Sequence, residues 1–168
     1  RITDATDPSI VFVDHGSLHL VAKLLNDGKT TAIGLDAVAG LVEVDTLMAQ
    51  YAGAKPAVFS LPDSATQAIK FTGGTTGLPK GVQQTYRAWM ANISNQIHAW
   101  QFDENDRYVV AAPITHGTST YLLPILAQGG CHVLMEGSGA EAVRATFRDR
   151  AGTVCFMPPT LVYMLMAL

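Results

Sequence analysis

Residues 72 to 81 read Thr72-Gly73-Gly74-Thr75-Thr76-Gly77-Leu78-Pro79-Lys80-Gly81, so four glycines, three hydroxyl side chains and one lysine fall within ten positions. A loop of this composition can turn several backbone N–H groups toward one point with few Cβ atoms in the way, which is what a polyanion requires. Thr72, Thr75 and Thr76 add hydroxyl donors, each worth about 1.5 to 3 kcal/mol when the acceptor is charged. Lys80 adds a full charge, whose attraction to a phosphate oxygen about 4 Å away is on the order of 4 kcal/mol before desolvation is subtracted. By these magnitudes Lys80 matters more than either Thr75 or Thr76. The expected chemistry is phosphate binding by Thr72, Gly73, Gly74, Thr75, Thr76, Gly77 and Lys80. The loop is not of the Walker type, because Pro79 precedes the lysine and Gly81, without a hydroxyl for magnesium, follows it.

A second candidate is His116, at the end of the run Ala112-Pro113-Ile114-Thr115-His116. Taken alone, a histidine at a strand end as readily bonds its neighbours as lines a pocket. Asp14-His15-Gly16-Ser17 also follows a strand signal, and its expected use is to cap the next helix. Gly137-Ser138-Gly139 lacks the spacing of a hydrolase nucleophile elbow, and Cys131, His132 and Cys155 lack zinc-site spacing, so no structural metal is expected.

The elements that must position these residues follow from hydrophobic period and breakers. Strand patterns fall at residues 9–13, 30–35, 68–72, 82–85, 107–112, 131–135 and 153–157, and helical patterns at 18–25, 45–52, 86–100, 117–127, 141–150 and 158–168. Asp45 is expected to cap the second helix. Residues 53–64, with Pro56 and Pro62, form a connector. Strands stand on both sides of the glycine-rich loop, so the loop is expected to close a hairpin. Trp89, Ile93, Gln96, Ile97 and Trp100 share one helical face, where the tryptophans are expected to pack in a core. The alternation of strands with helices predicts an α/β fold, a three-layer αβα sandwich with a mostly parallel sheet.

The run from Phe71 through Thr72-Gly73-Gly74-Thr75-Thr76-Gly77-Leu78-Pro79-Lys80-Gly81 to Val82 resembles the phosphate-loop signature of the adenylate-forming superfamily, which includes acyl-CoA synthetases, luciferases and peptide-synthetase adenylation domains. Gly74 stands where many relatives carry serine, a change that removes one hydroxyl and keeps the amide. Ala112-Pro113-Ile114-Thr115-His116, followed by Leu123-Pro124-Ile125-Leu126-Ala127-Gln128-Gly129-Gly130, is similar to the second family signature, whose histidine lies where nucleotide and acyl pockets meet. Thr115 and Ser119 occupy positions where an aromatic residue and a glycine are usual. Met157-Pro158-Pro159-Thr160-Leu161 resembles a later family segment, so the match covers most of residues 67 to 168.

The resemblance implies a parent enzyme that activates a small-molecule carboxylate with ATP and magnesium as an acyl adenylate, then transfers the acyl group to CoA. His116 would act at the carboxylate's pocket. Aryl-acid and amino-acid activators share the signatures, and a phosphotransferase or a non-catalytic scaffold fragment are the rival classes. The resemblance also places the magnesium-binding acid, the ribose-binding aspartate and the catalytic lysine of relatives beyond Leu168. Residues 1–168 are therefore expected to be a partial N-terminal adenylation domain, truncated at both ends and inactive alone.

Bulk properties agree with a packed domain. Of 168 residues, 48% are hydrophobic and 15% charged, a balance that excludes disorder. A net charge of -3 gives no electrostatic reason to expect nucleic acid or an anionic membrane as partner. The two cysteines sit in apolar strand patterns and are expected to be buried free thiols in a cytoplasmic protein. No membrane span is expected, and a homodimer is one expected assembly.

Overall fold

The computed structural model describes residues 2–26, 28–73 and 80–168, and leaves the side chain of His116 outside that set. The chain divides into two units, one of residues 1–61 with 69–82, the other of residues 62–68 with 83–168.

In the first unit a short helix, α1 (Ile2–Thr6), precedes a three-stranded parallel sheet of β1 (Ile10–Val13), β2 (Thr31–Gly34) and β3 (Val42–Glu43), in that order. Ile10 pairs with Thr31 and Val13 with Gly34. Asp14 ends β1 as expected of a cap: its carboxylate accepts the Ser17 N–H at 2.7 Å and starts a 3₁₀ turn, His15–Ser17. That turn leads into α2 (Leu18–Leu25), the crossover to β2. The helix α3 (Val44–Gln50) differs from its forecast, because Glu43 rather than Asp45 occupies the cap position and Asp45 sits in the first turn. There an acidic side chain still complements the helix dipole.

The two strands β4 (Thr66–Thr72) and β5 (Lys80–Thr85) pair with each other, as the hairpin expectation requires. Gln84 Nε2 donates to Gln67 Oε1 at 3.0 Å, a cross-strand tie near the open end. At the end of β5 the Thr85 hydroxyl accepts the Ala88 N–H at 3.2 Å and caps α4 (Tyr86–Trp100).

The second unit is built around β6 (Arg107–Val110), which pairs in parallel with β7 (Cys131–Leu134), Tyr108 lying opposite His132. The pleat sends alternate β6 side chains to opposite faces. Tyr108, wholly buried, joins Phe102 and Ile125 in one cluster, with Val110, Tyr121 and Phe156 against it. Val109, also wholly buried, lies toward Gly152 on the other face, where a Cβ at Gly152 would come within 2.4 Å of its Cγ2. There Ala140 and Val143 of α6 (Ala140–Arg150) pack with Leu161 of α7 (Pro159–Met166). The helix α5 (Ser119–Ala127) covers the Tyr108 face and packs on α4. Helices thus cover both faces of this parallel sheet. The fold is mixed α/β with mostly parallel strands, as the pattern predicted.

Four local expectations are corrected. The strand predicted at 153–157 is reduced to one parallel bridge, Tyr108 with Val154, because Pro158 and Pro159 end the extended run. The helix predicted from Gly117 starts at Ser119, after a π-turn at Ile114–Thr118. Trp100 is 64% exposed and Trp89 half-buried, because only Ile93 of their face reaches the core. Cys131 and Cys155 are free thiols, but half-buried.

Candidate functional site

The hairpin brings Thr72, the last residue of β4, opposite Lys80, the first of β5; the Thr72 hydroxyl donates to the Lys80 carbonyl across a long 3.5 Å. Thr72, Gly73 and Lys80 are all exposed, so a ligand can approach them from solvent. Gly74, Thr75, Thr76 and Gly77 lie outside the described residues. Lys80 is the first residue of β5 rather than part of the loop proper.

Two glycines of the motif differ in what a side chain would meet. A Cβ at Gly81 would lie 2.9 Å from Ile69 Cγ2 and 3.3 Å from the Phe71 ring, so this position is closed by β4 side chains. A Cβ at Gly73 would meet nothing within 4 Å. Packing among the described residues therefore does not require glycine at 73.

In the second unit His116 lies in the π-turn Ile114–Thr118 that joins the end of β6 to α5. A π-turn inserts one extra residue per turn and is found most often at functional sites. Gly117 is pressed on Phe156 so closely that a Cβ would stand 2.6 Å from the ring. Thr118 is wholly buried, and its hydroxyl has no hydrogen-bond partner among the described residues. The Tyr108 hydroxyl donates to the Thr118 carbonyl at 3.4 Å. Burial pushes the Tyr108 phenol up to about 12, opposed in part by the Thr118 side chain beside it and by the Phe156 N–H. Its ring stands 6.0 Å from Tyr121 and edge-on to His132 at 5.9 Å. Burial also raises the Cys155 thiol, with the Ala111 N–H opposing.

Phe156, which packs against Gly117, also lines a cavity of about 410 Å³ with Trp100, Phe102, Tyr121, Cys155 and Met157 among others. The sequence motif singled out His116, and sequence reasoning missed the residues packed around its turn. Tyr108, Gly117 and Phe156 carry no motif, and only the ten-residue spacing from Tyr108 to Thr118 could have hinted at contact across one connection. Among the described residues no group of three His, Cys, Asp or Glu could hold a metal ion, and no helix is long and apolar enough to cross a membrane.

These features are those of a mixed α/β domain with mostly parallel strands, and the comparisons agree. The family model "AMP-binding enzyme" matches residues 1–168, and the chain belongs to that family. A medium/long-chain-fatty-acid–CoA ligase of Mycobacterium tuberculosis is 29% identical over 126 residues, 74% of this chain and 22% of the ligase. A vibriobactin-specific 2,3-dihydroxybenzoate-AMP ligase of Vibrio cholerae is 26% identical over 101 residues, 58% of this chain and 19% of that protein. The apo structure of MbtA from Mycobacterium smegmatis superposes with a TM-score of 0.83 at 19% identity, over 97% of this chain and 32% of that one. The chain thus spans about a fifth of the length of the curated relatives it matches.

Proposed function

We propose that the chain is the nucleotide-binding part of the N-terminal domain of an acyl-CoA synthetase, and that Thr72, Gly73, Gly74, Thr75, Thr76, Gly77 and Lys80 hold the phosphates of ATP. The observation that carries this reading is the hairpin, which places exposed Thr72, Gly73 and Lys80 together at one end, in a chain of the AMP-binding family. In the parent reaction a carboxylate oxygen attacks the α-phosphorus of ATP. The bond to the β-phosphate oxygen breaks and pyrophosphate leaves. The CoA thiol then attacks the acyl carbon and AMP departs. The loop contributes donors aimed at the phosphates, which lowers the barrier by alignment and charge neutralisation. His116 acts at the carboxylate's side of the site. Magnesium enters with ATP.

A fatty acid is the favoured carboxylate because the ligase from M. tuberculosis matches the longer stretch of this chain. An aryl acid is the second reading, favoured by the dihydroxybenzoate ligase. The test of the nucleotide site is hydrogen exchange of the chain with and without Mg-ATP. Slowed exchange at the amides of residues 73–77, lost in Lys80→Gln, supports it; unchanged exchange overturns it. In a protein of the relatives' full length, decanoate- or 2,3-dihydroxybenzoate-dependent exchange of pyrophosphate into ATP decides the acid. ADP formation instead would reassign the loop to a phosphotransferase.

A further inference from the structure

The π-turn that carries His116 is held from two sides. Below it, Tyr108 is wholly buried in β6 and its hydroxyl donates to the carbonyl of Thr118, the last residue of the turn. Beside it, Phe156 lies against Gly117, at a distance that excludes any side chain there. Inside it, the Thr118 hydroxyl is buried without a hydrogen-bond partner among the described residues. A π-turn is a poor local solution, since its extra residue is readily lost to the ordinary α-helical bonding of the helix that follows. The tertiary contacts of residues 114–118 are therefore what favours the π form over an α-helical one.

We propose that Tyr108 is a positioning residue for the His116 turn: its buried hydroxyl, by holding the Thr118 carbonyl, keeps residues 114–118, His116 among them, in the π form. This rests on the assignment of His116 to the carboxylate's side of the site. The geometric lever is large. Removing the extra residue of a π-turn changes the positions of the residues within it by up to about 100° around the helix axis, one residue's share of an α-helical turn, while β6 before it stays in the sheet. The Thr118 hydroxyl, unpartnered in the π form, could then bond the carbonyl of Ile114, four residues back, as threonines in α-helices do.

The test compares Tyr108→Phe with Tyr121→Phe. The second change removes the hydroxyl of the neighbouring ring, which does not hold Thr118. The readout is the His116 imidazole resonance of the 168-residue chain, assigned by its loss in His116→Gln, at temperatures well below unfolding. Tyr108→Phe should move that resonance in the ligand-free protein, while Tyr121→Phe leaves it in place. A mere loss of stability would lower the melting temperature without moving it. Where the wild type binds decanoate, Tyr108→Phe should weaken that binding about fivefold, the loss expected for one neutral hydrogen bond, and leave Mg-ATP affinity unchanged. Coincident His116 resonances in wild type and Tyr108→Phe overturn the proposal, whatever decanoate does. A wild type that binds no decanoate counts against the carboxylate assignment alone, and the ligand-free comparison still decides the role of Tyr108.

Discussion

Gly117 and Phe156 meet without room for a methyl group: the Cβ that Gly117 lacks would stand 2.6 Å from Cζ of Phe156 and 2.8 Å from its Cε1. The contact ties the turn that carries His116 to the segment after the Val154 bridge. Phe156 cannot swing aside freely, because its other neighbour is Tyr121, stacked at 5.8 Å.

Gly117→Ala is therefore expected to destabilise the chain by about 1 to 3 kcal/mol, the usual range for overpacking a closed site. Urea unfolding measures it. The double change Gly117→Ala with Phe156→Leu should recover part of the loss, since the smaller side chain vacates the place of the added methyl. Additive losses would show that the two residues do not interact.

Ala151 offers a change of the opposite sign. It ends α6 in the left-handed conformation, φ 50° and ψ 46°, with its N–H donating to the Phe147 carbonyl. An L-residue there is strained by roughly 1 to 2 kcal/mol, against which glycine's greater freedom in the unfolded chain must be set. Ala151→Gly should stabilise by about 0.5 to 1 kcal/mol, read as a higher urea midpoint at constant slope. A lower midpoint would mean that the alanine methyl makes a contact worth more than the strain.

Tyr108 predicts a pH dependence. Its phenol is pushed up to about 12 in the fold, while the unfolded chain has the ordinary value near 10. Above pH 10 the unfolded state has already lost this proton and the folded state has not, so the unfolded state binds fewer protons and stability falls as pH rises. The contribution is fully present below pH 10 and is lost toward pH 12, roughly 3 kcal/mol at most. Tyr108→Phe has no phenol to titrate, so the difference between the two pH profiles isolates it. Parallel profiles from pH 9 to 12 would refute the assignment.

What could be read from residues alone follows a physical division. The strand and helix order was legible because apolar period and breakers are local properties, and the hairpin was legible because strand signals flank the glycine loop. The π-turn was not, since the sequence from Ile114 to Thr118 has no signature for one extra residue per turn, and its cause is tertiary. Trp100 misled for a related reason: the helical face is real, but the core below it reaches only Ile93. Gly81 was read as part of the anion loop, whereas Ile69 and Phe71 already forbid a side chain there. His116 was found only through its motif, and the buried Tyr108 that touches its turn was invisible until the strand register placed it.

Lys80 and Thr72 stand opposite each other at the end of the hairpin, and their effects on nucleotide binding should separate by magnitude and by salt. Lys80→Gln keeps a polar side chain and removes the charge. A hydrogen bond to a charged group contributes about 1.5 to 3 kcal/mol, so Mg-ATP affinity should fall by roughly tenfold to a hundredfold. The Thr72 hydroxyl must first leave the Lys80 carbonyl to serve a phosphate, which offsets part of its gain, so Thr72→Val should weaken binding by only about fivefold. Added salt screens an exposed charge and barely affects a hydroxyl. The wild type and Thr72→Val should then lose affinity in parallel as salt rises, while Lys80→Gln shows a flatter dependence. Calorimetric titration at two salt concentrations measures both quantities. Equal losses in the two variants, with equal salt slopes, would show that the lysine's charge does not meet the phosphates.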